Sequence, residues 1–375
     1  MAKFISFCYR NLLKPILFRF EPEFVHNRFT FVGRNLGRFG FTRGLTRRIF
    51  RFDHPKLAQE VLGLRLTNPV VLSAGFDKQA DMVNILPSIG FSGMEMGSIT
   101  WKPYSGNAKP RLYRLPKSKA IVVYYGLKNL GVVDTIVKFK KSVKQEILQS
   151  DFQIGISIAK TNSDETCTVE AGIEDYYQGL KSFVEAGIGD YYTINISCPN
   201  TFGGEPFTTP DKLSKLLGRL ATIECKVPIF VKMPINLDWT DFRKLIDVVI
   251  RHKIKGVIIG NLNKNHQDPN ILEKIPEHLK GGISGKPTFD LSNALIEKTY
   301  RDYGKKLVIV GTGGIFKAED AYKKIKLGAT FVQMITGMIF EGPQVIGEIN
   351  RGLLRLIERD GYKNISDAIG VENKQ

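Results

Sequence analysis

A single cysteine stands among amides in the stretch Asn195-Ile196-Ser197-Cys198-Pro199-Asn200, with a Gly-Gly pair and Pro210 following. A thiolate there could take a proton as a general base. No histidine lies nearby in sequence to make a Cys–His nucleophile, so covalent catalysis is the less favoured chemistry. The plainer alternative is a buried structural thiol, the commoner fate of a cysteine. Asn195, Asn200 and Asn261 each offer donors and acceptors and suit a planar ring bearing carbonyls and N–H groups. Lys78 and Lys232 add cations that would hold an anion, against the plainer reading of snorkelling surface lysines. Three glycine-bearing stretches, 281–287, 311–314 and 336–337, would let backbone N–H groups close round a phosphate ester; plain tight turns are the alternative.

These residues share a position in the pattern. From residue 69 onward, short β-branched runs (70–75, 93–98, 152–158, 191–197, 228–233, 256–261, 307–311 and 331–336) alternate with amphipathic stretches (173–185, 210–222, 241–252, 291–303, 318–326 and 343–359). Near-continuous apolar runs fit parallel strands covered on both faces. Eight β-then-α units in one unit of chain predict an α/β fold, a (β/α)8 TIM barrel, with a doubly wound open sheet as the alternative. The candidate groups then fall at the C-terminal strand ends, where such barrels carry their chemistry. Residues 99–151, with Pro103, Pro110 and Pro116, read as an excursion over the barrel mouth, and 198–210 as a flexible lid.

Composition sets further bounds. With 43% hydrophobic and 24% charged residues and no long apolar run, a spanning helix is not expected. The four cysteines show no close pairing and read as reduced thiols, and the five histidines have no ligand spacing, so no metal is expected. Of the formal +17, residues 1–51 carry eleven Lys+Arg against two acids, or 11 − 2 = +9. Aromatic and aliphatic residues from Phe4 to Phe20 lie between those charges, as in segments that sit on anionic membranes. A solvated helix docked on the main unit, or a cleaved transit peptide, are the alternatives. No nucleic-acid motif accompanies the charge. The expected division is 1–52, an amphipathic helical membrane extension, and 53–375, the barrel.

Several motifs in order carry a family likeness over nearly the whole chain: Ala-Gly-Phe-Asp-Lys at 74–78, Gly-Asn-Ala-Lys-Pro-Arg-Leu-Tyr-Arg-Leu at 106–115, the Cys198 stretch, and Gly-Gly-Ile-Ser-Gly-Lys-Pro at 281–287. Together they resemble the dihydroorotate dehydrogenases, and Phe20-Glu21-Pro22-Glu23-Phe24-Val25-His26 is similar to the N-terminal extension of the membrane-associated, quinone-dependent class. The resemblance implies FMN in the barrel, oxidation of dihydroorotate to orotate in pyrimidine biosynthesis, and a peripheral place on the cytoplasmic face of a membrane. By position it implies Cys198 as base and Lys78, Asn195, Asn200, Asn261, Tyr124, Tyr125 and Gly126 at the substrate. It implies Ser73, Ala74, Gly75, Ser98, Ser157, Asn195, Lys232, Gly260, Gly285, Gly313, Gly314, Ile335 and Thr336 at FMN, with residues 1–52 forming a tunnel for quinone beside His26 and Arg114.

Certain positions depart from the family pattern. Cys198 stands where the quinone-dependent class has serine, a choice that resembles the soluble class. Val123 and Ser157 each replace an asparagine, Leu262 a hydroxyl residue and Ile335 a tyrosine. These departures keep open a different acceptor (fumarate or NAD), an altered substrate, or a barrel that binds flavin or phosphate without turnover. Because a thiol is more acidic than a hydroxyl, the pH–rate profile is expected to move toward neutral.

Overall fold

Branched side chains every second or third residue favour the pleated, fully covered strands that a closed parallel barrel needs. The computed structural model describes residues 2–373. Its strands are β1 (Gln59–Val61), β2 (Leu64–Leu66), β3 (Val70–Leu72), β4 (Gly93–Ile99), β5 (Leu112–Leu115), β6 (Ala120–Val123), β7 (Gln153–Ile158), β8 (Tyr191–Asn195), β9 (Ile229–Met233), β10 (Gly256–Ile259), β11 (Gly282–Gly285), β12 (Val308–Thr312) and β13 (Phe331–Met334). Eight of them form a closed parallel barrel in the order β3-β4-β7-β8-β9-β10-β12-β13, sealed where Val332 pairs with Val70 and Gln333 with Val71. Strands β4, β8, β10 and β13 are buried at every position.

The helices are α1 (Ala2–Cys8), α2 (Lys14–Leu17), α3 (Pro22–Arg38), α4 (Gly40–Phe50), α5 (Leu86–Ile89), α6 (Gly131–Ser142), α7 (Gln145–Leu148), α8 (Val169–Ala186), α9 (Pro210–Leu220), α10 (Trp239–Arg251), α11 (Phe289–Tyr303), α12 (Ala318–Lys326), α13 (Thr336–Glu341) and α14 (Val345–Arg359). Local signals set their ends. Thr168 caps α8 through Ala171 N–H at 3.2 Å, and Gly187, at φ 64°, stops it.

The floor of the barrel is apolar. The hairpin β1–β2 packs Leu64 and Leu66 with Val71, Tyr191, Phe230, Ile258, Val310 and Phe331. At the opposite end, β5, β6 and β11 form a three-stranded antiparallel sheet. The stretch 281–287 is therefore mainly strand rather than turn: it returns to pair Gly282 with Val123 and Gly285 with Ala120.

Helices α1–α4 lie against the same end. Tyr9 Oη donates to Ile339 O at 2.8 Å, and Arg10 pairs with Glu341 at 2.7 Å and Glu348 at 2.9 Å. Gly33 and Gly37 let α3 lie close: a Cβ on Gly37 would stand 3.0 Å from that of Asn84. The outer surface of this N-terminal unit exposes Phe4, Phe7, Leu12, Ile16, Phe31, Phe39 and Phe41. Among the described residues no helix is long and apolar enough to cross a membrane.

Phe230 has no exposed surface and its ring meets Tyr191 edge-on at 5.4 Å and Phe331 at 6.5 Å. Phe230→Ala is expected to lower unfolding stability by about 3–5 kcal/mol, read as a lower urea midpoint at unchanged slope. A midpoint within error of the parent would show that the floor does not carry the barrel.

Candidate active site

Parallel strands all deliver their last residues to one rim, so distant stretches of sequence meet there. A cavity enclosing about 1300 Å³ of atom-free space, counting its mouth, opens at that rim. Its wall gathers Lys78 and Ser73–Gly75 after β3, Ser98 from β4, Asn195, Cys198 and Asn200 at the end of β8, Lys232 from β9, and Gly260 and Asn261 after β10. Gly285, Gly313, Gly314, Ile335 and Thr336 complete the far side, and Tyr125, Gly126 and His26 the roof.

Three expected residues are placed off the wall. Tyr124 follows Val123 and precedes Tyr125, and successive side chains of extended backbone face opposite ways. Val123 and Tyr125 therefore line the cavity and Tyr124 does not. Ser157 is fully buried one layer back, its Oγ 2.7 Å from Ser98 Oγ. Arg114 lies outside the wall, donating to Phe20 O at 2.8 Å with its guanidinium 4.6 Å from the Phe18 ring centre. Of the pair expected at the tunnel, only His26 reaches the cavity.

The amides are fixed by serine hydroxyls and a backbone carbonyl. Asn195 Nδ2 donates to Ser98 Oγ at 2.8 Å, Asn261 Nδ2 donates to Ser197 Oγ at 2.9 Å, and Asn200 Nδ2 donates to Val123 O at 2.8 Å. Residues beyond the expected set complete this frame. Asn107 Nδ2 donates to Asn200 O at 3.0 Å, and Asn162 accepts from Phe202 N at 2.6 Å while donating to Gly126 O at 3.1 Å. Lys264 pairs with Glu205 at 2.5 Å, so the 198–210 segment is clasped on several sides. Ser284, Thr288 and Thr312 also line the cavity. Their signal was adjacency to the glycine stretches, which drew notice to the glycines alone.

Charge is managed by burial. Lys232 is buried, with Ser73 Oγ at 3.3 Å and the Glu95 carboxylate at 3.9 Å. Burial lowers its pKa, and Glu95 opposes this. Glu95 has no exposed surface; one oxygen accepts from Thr193 at 2.8 Å and Gln333 at 3.0 Å, and the other has no hydrogen-bond partner. His26 is pushed down to about 3 by burial and by Lys78 and Lys128, so its imidazole is neutral near pH 7. Burial pushes the Cys198 thiol up to about 11. Burial thus works against the expected move toward neutral, because desolvation disfavours the thiolate.

At the far end, Gly285, Gly313 and Gly314 take φ of 97°, 95° and 71°. A Cβ on Gly313 would lie 2.5 Å from Thr288 Oγ1, and one on Gly314 2.5 Å from Phe289 Cβ. Only glycine fits, and the wall there is backbone beside the starts of α11 and α13.

Proteins of known family share this sequence and fold. The family model described as dihydroorotate dehydrogenase matches residues 56–357. The dihydroorotate dehydrogenase (quinone) of Trichodesmium erythraeum is 34% identical, covering 98% of this chain and 99% of its own. That of Nautilia profundicola is 36% identical over 96% of each chain. A crystal structure of the Eimeria tenella enzyme in complex with ferulenol superposes with a TM-score of 0.82 at 28% identity, covering 94% of this chain and 96% of that one. By sequence and fold alike, the chain belongs to the dihydroorotate dehydrogenase family.

Proposed function

We propose that this protein oxidises (S)-dihydroorotate to orotate with quinone as the electron acceptor, a step of pyrimidine biosynthesis. The observation that carries the reading is a single cavity uniting Cys198, Lys78, Asn195, Asn200 and Asn261 with a glycine cradle. The names of the relatives supply the acceptor.

The family is flavin-dependent, and the residues fit FMN at both ends. Gly285, Gly313 and Gly314 form a cradle with no room for side chains, suited to a phosphate. Lys232 brings an ammonium with donors to spare to the cavity wall, suited to an electron-rich ring edge. Ser73, Ala74, Gly75, Ser98, Asn195, Gly260, Ile335 and Thr336 would complete its binding, with Ser157 fixing Ser98 from behind. Bound flavin supplies a two-electron acceptor for the hydride that the substrate loses at C6.

The chain's own residues do the rest. Lys78, over the Tyr125 ring at 4.0 Å, holds the substrate carboxylate. Asn195, Asn200 and Asn261 orient the ring, beside Gly126 and Tyr125. Val123 and Leu262 give this wall an apolar side, while the Val123 carbonyl still anchors Asn200. Cys198 takes the proton from C5. Neutral His26 marks the quinone approach through the N-terminal unit, residues 1–52, against the barrel of 53–375. Basic and aromatic side chains exposed on that unit support a peripheral seat on the cytoplasmic face of a membrane.

Only the thiolate accepts the proton, so at saturating dihydroorotate, where weaker anchoring by Lys78 above about pH 8 does not limit the rate, flavin reduction should accelerate as pH rises toward about 11. Cys198→Ala should slow it by about 10²- to 10⁴-fold. Anaerobic stopped-flow bleaching of the flavin reads both. A yellow protein that dihydroorotate never bleaches would remove this substrate, and a pH-independent rate would remove Cys198 as base.

The membrane seat has its own check. Sedimentation with vesicles containing anionic lipid should capture the protein, less so at high salt, and a Phe4→Ser, Phe7→Ser, Phe41→Ser variant should stay in the supernatant. Equal capture of that variant would place the contact elsewhere.

A further inference from the structure

A second cavity adjoins the first, and the two share a wall of His26, Phe76, Lys78 and Tyr125. The second is walled largely by polar and charged residues and lies between α3 and the segments after β3 and β6. Lys78 is thus open to groups from the N-terminal unit as well as to the active site. The carboxylates around it differ in how far they are engaged. Asp77 is taken up by the backbone N–H groups of Gln79, Asp81 and Met82 at 3.1, 3.0 and 2.6 Å. Asp81 is paired with Lys138 at 2.9 Å and Arg34 at 3.4 Å. Asp134 lines the same cavity from α6.

Glu23 is different. It is 2% exposed, and one oxygen meets both Arg111 and Lys128 at 3.2 Å. Its other oxygen is buried with no hydrogen-bond partner, as is the Tyr125 hydroxyl. Two cations sharing one oxygen leave the other carboxylate oxygen over, in the wall of the cavity that Lys78 also lines, its ammonium 4.0 Å from the Tyr125 ring centre.

We propose that Glu23 is a positioning residue: from the N-terminal unit it holds the proton on Lys78, and so sets whether the active site can bind a carboxylate. This rests on the reading of Lys78 as the substrate's anchor. The groups facing Lys78 are Asp77, Glu23, Lys128, Arg111, His26 and Tyr125, and they act in opposite senses. Burial and then Lys128 lower the lysine to about 8, while Asp77 and Glu23 raise it. The sign follows: a lysine near 8 is charged below that pH and loses its hold on an anion as pH rises through it.

The test uses the full-length, flavin-loaded protein. Trace acetylation across pH 6–10, read on the Lys78 peptide by mass spectrometry, gives that lysine's titration without substrate. Glu23→Gln should move the titration to lower pH, Glu23→Asp should largely restore it, and Lys128→Gln should move it to higher pH. Orotate binding, followed through the flavin spectrum without turnover, should then weaken in Glu23→Gln by about three- to tenfold at pH 8 and match the parent at pH 6. Titrations that coincide in all variants overturn the proposal. So does an orotate affinity that falls equally at every pH, the mark of a merely structural carboxylate. If the titrations move as stated while the parent protein ignores orotate, Glu23 keeps its control of Lys78 and the dihydroorotate reading fails instead.

Discussion

A barrel closed by hydrogen bonds all the way round has no free edge, and that constraint orders everything else in this molecule. Side chains inside it must pack, so chemistry is confined to the rims. One rim is sealed by the β1–β2 hairpin and a plug of Phe230, Tyr191 and Phe331. The other is left for Lys78, Cys198, Lys232 and the glycine cradle. The antiparallel sheet of β5, β6 and β11 and the helices α1–α4 are then walls added to the open rim, which deepen it and keep water out.

Keeping water out changes the charges more than their neighbours do. Cys198, His26, Lys78 and Lys232 are all driven toward their neutral forms, and desolvation is the first cause each time. The barrel answers with buried carboxylates placed one step away: Glu95 beneath Lys232, and Glu23 across the second cavity from Lys78. Neither carboxylate is fully satisfied within the protein, since each keeps one buried oxygen without a hydrogen bond.

Much of this was legible in the sequence for a simple reason. Parallel strands covered on both faces read as continuous apolar runs, so the eight barrel strands and their order stood out, and the rim residues followed from the strand ends. What escaped notice depended on contacts far apart in the chain. Strands β1 and β2 are three residues each, too short for a pattern, and β11 is glycine-rich with its partner about 160 residues earlier. Tyr124, expected at the substrate, stands just past β6 between Val123 and Tyr125 and does not line the cavity as they do. Ser157 lies one layer too deep, and no local pattern distinguishes a side chain lining a cavity from one supporting that lining. Glu95 hid within an apolar run because its partners, Thr193 and Gln333, come from other strands. The thiol's intrinsic acidity was visible in sequence, but the burial that opposes it was not.

The N-terminal unit carries exposed aromatic residues on its outer surface while lending His26 to the cavity on its inner one. Seated on lipid, such a unit turns the approach to the active site into a search in two dimensions. A lipid-soluble acceptor would then reach His26 at a rate governed by its surface density in the bilayer and its lateral diffusion, with bulk concentration entering only through partitioning. On such a seat, turnover would follow the composition of the membrane, and the same chain in detergent would report the mole fraction of acceptor in the micelle.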